Sequence, residues 1–281
     1  MKFWDYHTHN YLCNHAKGTV EEYVISAIEK NLCEIGLSDH FPMHLISKEA
    51  NVEQWAMQME QFPKYIASCQ QVKKKYQNKI IVKVASEVDF TPKSFLNYKI
   101  ALEPFLDDLD YIIGSVHVID IDGVGERAVD SPDSYSLMEQ VGSNIIYKKY
   151  YETNIKMVKT GFYNIVGHCD LPKKFGILPN EEIWEYTLKF LDAVEESDMA
   201  IEINHAGFCK PVATQYPDDK IIQEMINRNI PITFGSDSHE PKDVGFRFEE
   251  TYYNLLKYCQ KRKSKLLFAK FNRKIIQKCN F

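Results

Sequence analysis

The 281-residue chain has no uninterrupted apolar run long enough to span a bilayer, and its opening MKFWDYHTHN holds nothing of leader-peptide length. That speaks against a membrane role, and a cytoplasmic location is expected. The seven cysteines (13, 33, 69, 169, 209, 259 and 279) are odd in number and form no C-x-x-C pair. Free thiols in a reducing compartment are therefore expected, mostly as core fillers. No Gly/Ser linker, low-complexity stretch or fixed-period repeat divides the chain, which argues for a single domain over residues 1–281. There is no G-x-S-x-G elbow, P-loop or H-E-x-x-H pair, and GVGERA at 123–128 falls short of a dinucleotide-binding glycine pattern. A net charge of -5 speaks against nucleic acid as a partner. Acidic residues stop at Glu250, leaving a basic tail from about 257 that reads as a solvated helix.

What is present is an alternation of short β-rich runs and longer amphipathic stretches. Strands are expected over 2–7, 33–40, 79–90, 109–117, 162–168, 199–204 and 230–239. Helices are expected over 19–31 with Thr19 as N-cap, over 51–77 with an interruption or kink near Pro63, and over 94–105. Others are expected over 134–160, 180–197, 218–229 and 246–260, while 118–133 reads as a loop. Seven strands alternating with helices point to one α/β barrel.

Most of the nine histidines close one of these strands. His7 ends the first, with His9 two residues on, and side chains at i and i+2 share a strand face. His40 ends the second strand, Glu87 lies near the end of the third, His117 ends the fourth and His168 the fifth. Asp237 and His239 end the seventh. In parallel α/β barrels these ends converge on one mouth, where active sites are built. His15, in the loop after the first strand, can reach the same place. A lone histidine is more often a satisfied core residue, but that reading would have to hold separately on every strand. Imidazole and carboxylate are ligands of Zn, Mn and Fe, and about nine such groups are too many for one ion. Two or three metals, with a bridging carboxylate, are expected.

The segments DYHTHN, LSDHFP, ASEVDF, GSVH, GHCDLPKKFG and PITFGSDSH, in that order, resemble the successive motifs of the PHP (polymerase and histidinol phosphatase) superfamily, nearest its histidinol-phosphatases. The resemblance spans residues 3 to 245. It implies a distorted, TIM-like (β/α)7 barrel with a trinuclear metal site. Carried over, it puts His7, His9, Glu87 and Asp237 on a first ion, Glu87, His117 and His168 on a second, and His15, His40 and His239 on a third. The implied reaction is hydrolysis of L-histidinol phosphate to L-histidinol and phosphate in histidine biosynthesis, by a hydroxide bridging two ions. Another small phosphate monoester, such as a sugar or nucleotide phosphate, is the alternative. A non-catalytic metal-binding relative is disfavoured because every ligand position is filled.

Further roles are expected nearby. Asp5, Asp39, Asp89 and Asp170 flank the ligands and either orient imidazole N–H groups or satisfy backbone amides. His205, at the end of the sixth strand, is a candidate phosphate contact or proton donor, and His44 a possible substrate contact. Relatives commonly carry an arginine just before Lys210, where this chain has Cys209. Lys210, Arg127 and Arg247 are therefore the candidate phosphate cations. The expected partner is a small-molecule phosphate ester.

Overall fold

The computed structural model describes residues 2–46, 48–50 and 52–280. Its strands are β1 (Trp4–Asp5), β2 (Glu34–Leu37), β3 (Ile81–Asp89), β4 (Tyr111–Ser115), a hairpin of β5 (Val118–Ile121) and β6 (Gly125–Ala128), then β7 (Ile165–Val166), β8 (Ala200–Asn204), β9 (Ile232–Gly235), β10 (Leu267–Asn272) and β11 (Ile275–Asn280). The helices are α1 (Val20–Glu29), α2 (Phe62–Tyr76), α3 (Phe95–Leu102), α4 (Ser134–Val141), α5 (Ser143–Lys159), α6 (Trp184–Glu195), α7 (Asp219–Asn227) and α8 (Phe248–Arg262). None of them is long and apolar enough to cross a membrane.

Seven strands pair in parallel in the order β1-β2-β3-β4-β7-β8-β9. Their runs are buried on both faces, as crossover helices require. The two ends of the series meet: Tyr6 N–H donates to Phe234 O at 3.0 Å, Asp237 N–H to His7 O at 2.8 Å and His9 N–H to Ser238 O at 3.0 Å. The expected seven strands are thus present and curl back on themselves at their C-terminal ends, which is where the histidines sit. At the opposite end β10 pairs with the first residue of β9 through Phe268 and Ile232. Its Phe268 and Phe271 pack on Trp4, Tyr6 and Tyr111, with ring centroids 5.4 to 6.1 Å apart, and plug that end with aromatic surface.

Several local expectations need correcting. Pro63 lies in the first turn of α2, where its missing N–H costs nothing, so the helical stretch is interrupted there, as one reading expected, and not kinked. Two 3-10 turns precede α2, and the expected start at Asn51 lies outside the described residues. The stretch 118–133 is not all loop: β5 and β6 pair around Asp122-Gly123, a turn signal between alternating residues. The single helix over 134–160 breaks at Gly142, whose φ is +90°. The basic tail is a solvated helix only as far as Arg262, where α8 ends. Beyond that it forms the β10–β11 hairpin, turned through Arg273 and Lys274 with φ of 47° and 63°, and joins the sheet. Thr19 caps α1 as expected, in a reciprocal box with Glu22.

Candidate metal centre

Each strand end delivers its side chain to one cluster. Glu87 lies at its middle: Oε2 is 2.9 Å from His40 Nδ1, 3.4 Å from His7 Nε2 and 3.5 Å from His9 Nε2. Oε1 is 3.0 Å from His168 Nε2 and 3.7 Å from His117 Nε2. Asp237 Oδ1 is 3.0 Å from His9 Nε2 and 3.8 Å from His7 Nε2. Asp237 reaches that position in the left-handed region, φ +50°, a backbone conformation that non-glycine residues rarely adopt away from constrained sites. His15, His40 and His239 form a further group of potential ligands. All nine expected ligand residues converge. His40 belongs both with that last group and with Glu87 and His117.

The donor set itself tests whether cations fit. His15 Nδ1 faces the Cys13 carbonyl at 2.8 Å and His239 Nδ1 the Asp237 carbonyl at 2.9 Å. Carbonyls only accept, so both Nδ1 atoms carry the proton and both Nε2 atoms are lone pairs, pointing at each other across 2.9 Å. The inner pair repeats the arrangement. In their neutral forms His7 Nδ1 donates to Glu202 and His9 Nδ1 to Asp39 (3.2 Å), leaving two Nε2 lone pairs 3.1 Å apart, at the nitrogens where a cation would take the place of a second proton. Two imidazole nitrogens bound to one ion at about 2.0–2.1 Å stand about 2.9–3.4 Å apart at octahedral to tetrahedral angles. The paired rings are spaced for a shared cation.

The charges agree. Burial disfavours ionised Glu87, yet the surrounding His40, His7 and His117 hold its carboxyl well below the ordinary range, and Asp237 is held down in the same way by His7 and His9. Burial likewise opposes charge on His9 and His117, but neighbouring carboxylates lift them to about 9 and about 10. The cluster draws positive charge inward, which a divalent ion supplies. Burial and the adjacent rings push His15 down to about 4 and His239 well below its usual value, keeping this outer pair neutral. Neutral imidazole is the ligand form.

The supporting acids divide. Asp39 accepts from His9, and Asp89 Oδ1 faces His117 Nδ1 at 3.0 Å, so both orient rings. Asp5 touches no imidazole. It clasps the N–H groups of Ser236 and Gly245 at 2.9 Å, and burial raises it to about 6. Asp170 pairs with Lys173 and accepts from Asp218 N–H. The acid that does orient His7 is Glu202, which reading the sequence missed. Its oxygens lie 2.9 and 3.0 Å from His7 Nδ1 and accept from His168 N–H (2.8 Å) and the Asn204 amide (2.7 Å). Asn204 also donates to Asp237 Oδ2 at 3.1 Å. A Cβ at Gly235 would collide with the Glu202 carboxylate and sit 2.7 Å from His7 Cβ, so glycine lets these strands close on the pair.

Other expected contacts lie elsewhere. His205 is wholly buried among Phe208, Phe234 and Phe248, with Nε2 2.8 Å from the Thr251 hydroxyl. It does not line the cavity, and burial and the Arg247 charge push it down to about 3, so it carries no imidazolium proton for acid catalysis. Arg247 pairs with Glu250 and stacks on Phe208, away from the cluster. Arg127 bonds the Glu126 carbonyl and lies near Glu49. His44 is exposed and off the cavity. Lys210 does line the cavity, a space of about 340 Å³ over the cluster. Its lining also includes Trp55, Asp130, Pro132, Leu171, Lys174 and Tyr216, none of which the histidine pattern pointed to. Lys174 Nζ donates to the Asp130 carbonyl at 2.8 Å and its carboxylate at 2.9 Å. Burial opposes ionisation of Asp130, but Lys174 and His117 hold its carboxyl below the usual range.

Comparison with known proteins bears on this geometry. The PHP domain family model matches residues 5–206. A probable histidinol-phosphatase of Deinococcus radiodurans is 36% identical over 246 residues, covering 88% of this chain and 90% of that protein. A crystal structure of a putative histidinol phosphatase from Listeria monocytogenes superposes with a TM-score of 0.80 at 26% identity, over 88% of this chain and 99% of the other. A histidinol phosphate phosphatase of Lactococcus lactis, solved with zinc, L-histidinol and phosphate, shares the fold at a TM-score of 0.75 and 20% identity, over 98% and 99% of the two chains.

Proposed function

This chain belongs to the PHP domain family, and from that premise we propose that it is a metal-dependent phosphatase that converts L-histidinol phosphate to L-histidinol and phosphate. The observation that carries the reading is two opposed imidazole pairs lining or bordering one cavity, His7 with His9 beside Glu87 and His15 with His239 grouped with His40. The 36%-identical relative, named a probable histidinol-phosphatase, supplies the substrate.

Two to three divalent ions (Zn, Mn or Fe) would be held by His7, His9, Glu87 and Asp237, by Glu87, His117 and His168, and by His15, His40 and His239. When bound, such ions neutralise phosphoryl oxygens and bring the ionisation of water from about 15.7 to near 7. The chain's own residues do the rest. Glu202, Asp39 and Asp89 fix the tautomers of His7, His9 and His117, so that each presents Nε2 inward. Asn204 keeps Asp237 turned toward His9. Lys210, exposed on the rim, offers the mobile cation that meets the phosphate dianion where Cys209 provides none. The walls of the cavity exclude bulk water from the ester, which strengthens each of these interactions. A small-molecule ester is the only partner this cavity requires, and a cytoplasmic enzyme of histidine biosynthesis accommodates all of these features.

The test is phosphate release from a panel of phosphoesters by metal-reconstituted protein. L-histidinol phosphate leads by a wide kcat/KM margin. A sugar or nucleotide phosphate in first place overturns the substrate assignment.

A further inference from the structure

The floor of the barrel, at the end opposite the metal centre, brings a thiol and an amine together. Cys33 stands immediately before β2, and Lys270 lies in β10, 237 positions further along the chain. Lys270 Nζ is 3.6 Å from Cys33 Sγ and 2.6 Å from Glu34 Oε1. Its surroundings hold it there: the Trp4 ring centroid lies 4.6 Å away, and Tyr6 OH donates to the other Glu34 oxygen at 2.5 Å. Burial opposes charge on Lys270, but its hydrogen bond to Glu34 raises it above the ordinary value. The group is an ammonium lying beside its own proton acceptor.

Other thiols of the chain are placed differently. Cys13, Cys69, Cys169 and Cys259 are buried, and burial raises each of them, which suppresses the thiolate that oxidants attack. Cys33 is only half-buried. Among the described residues it is the one cysteine whose sulfur has a lysine ammonium within hydrogen-bond reach.

We propose that Cys33 and Lys270 form an oxidative crosslinking site, joined by a sulfur–nitrogen bond when hydrogen peroxide reaches the thiol. In the first step Sγ attacks one peroxide oxygen, the O–O bond breaks, and the other oxygen leaves as water with the thiol proton. Sulfur gives up two electrons, peroxide accepts them, and Cys33 becomes a sulfenic acid. In the second step Glu34 takes a proton from Lys270, and the freed Nζ lone pair attacks Sγ. The S–OH bond breaks, and the departing hydroxide removes a second proton from nitrogen and leaves as water. No further oxidant is consumed, and Glu34 returns its proton to solvent. β10 meets β9 through one register pair, Phe268 with Ile232, so a bond from Lys270 to the foot of β2 fastens the hairpin where its pairing to the barrel is thin. The bond also closes a loop over most of the chain, which restricts the unfolded state.

The experiment uses full-length protein loaded with zinc, which has no redox chemistry of its own, and an equimolar amount of hydrogen peroxide. The intact mass should fall by two hydrogens, and a non-reducing digest should give one peptide pair joined through Cys33 and Lys270. The thermal midpoint should rise, and tris(2-carboxyethyl)phosphine should reverse both changes. Cys33→Ser abolishes the crosslink. So does Lys270→Arg, which keeps a cation beside Glu34 and Trp4; there the sulfenic acid persists, and dimedone labels Cys33 more than in wild type. Wild type that yields Cys33 as a free thiol, a sulfinic acid or a disulfide, with Lys270 unmodified, overturns the proposal. Equal dimedone labelling of wild type and Lys270→Arg does so too, as does a crosslink that survives in Lys270→Arg.

Discussion

Replacing Glu202 by Gln changes one atom of a buried network and tests the tautomer logic of the cluster. Glu202 Oε1 accepts from His168 N–H at 2.8 Å and from Asn204 at 2.7 Å, so a Gln keeps its carbonyl there. Its amide nitrogen then occupies the Oε2 position, 2.9 Å from His7 Nδ1. Two N–H groups repel at that distance, and the carbonyl at 3.0 Å is already shared by His168 and Asn204, so the tautomer with the proton on Nε2 and Nδ1 accepting is favoured. The nitrogen that faced His9 as a lone pair becomes a donor and leaves the ligand set. Outer partners of metal-bound histidines are worth 10–100-fold in metal affinity, or about 1.4–2.7 kcal/mol. Glu202 is only 1% exposed, so water cannot soften the change, and the upper end of that range is expected. Competition between the protein and a chromophoric chelator measures it. The tightest-held ion should show a Kd raised about 100-fold, with the fold intact by circular dichroism. A Kd within twofold of wild type would falsify the tautomer argument. Gly235→Ala, which pushes a methyl between Glu202 and His7, should weaken metal binding in the same assay.

Three further outcomes are expected. Glu87→Ala removes the carboxylate common to the inner rings, so elemental analysis should show at least one ion fewer per chain and turnover should vanish; near-normal activity contradicts the cluster. His205 is neutral in the fold with a value of about 3, whereas the unfolded chain takes up its proton below about 6.5. Its contribution is complete above about 6.5 and fades as pH falls toward 3, costing about 2 kcal/mol at pH 5. Urea unfolding of the metal-free protein should lose that much more stability between pH 7.5 and pH 5 than His205→Gln does, and equal losses reject the idea. Phe271→Ala opens a hole beneath Tyr6 and Tyr111, costing about 3–5 kcal/mol of unfolding free energy, while metal content stays the same; loss of the ions instead would show that the plug and the cluster are one unit.

The amino-acid sequence by itself determined the strand-helix alternation and the rim on which the metal ligands gather. Both follow from local rules: apolar periodicity marks the strands, and a polar ring at each strand end is visible without knowing its neighbours. One miss was legible in the same rules. On β8, Glu202 and Asn204 alternate toward the site, so His205, one residue on, faces the opposite side, where α8 buries it. The rest only the tertiary structure decided. The pairing of Glu202 with His7, 195 residues apart, depends on two strands closing over Gly235. The meeting of Asp130 with Lys174 joins two loops whose positions no spacing encodes. Beyond Arg262 the basic tail became a hairpin because β10 had the aromatic underside of the sheet to cover, a partner that a reading of the tail alone does not contain. Local chemistry names the candidates, and burial and the direction of each side chain choose among them, because those depend on atoms brought together from distant parts of the chain.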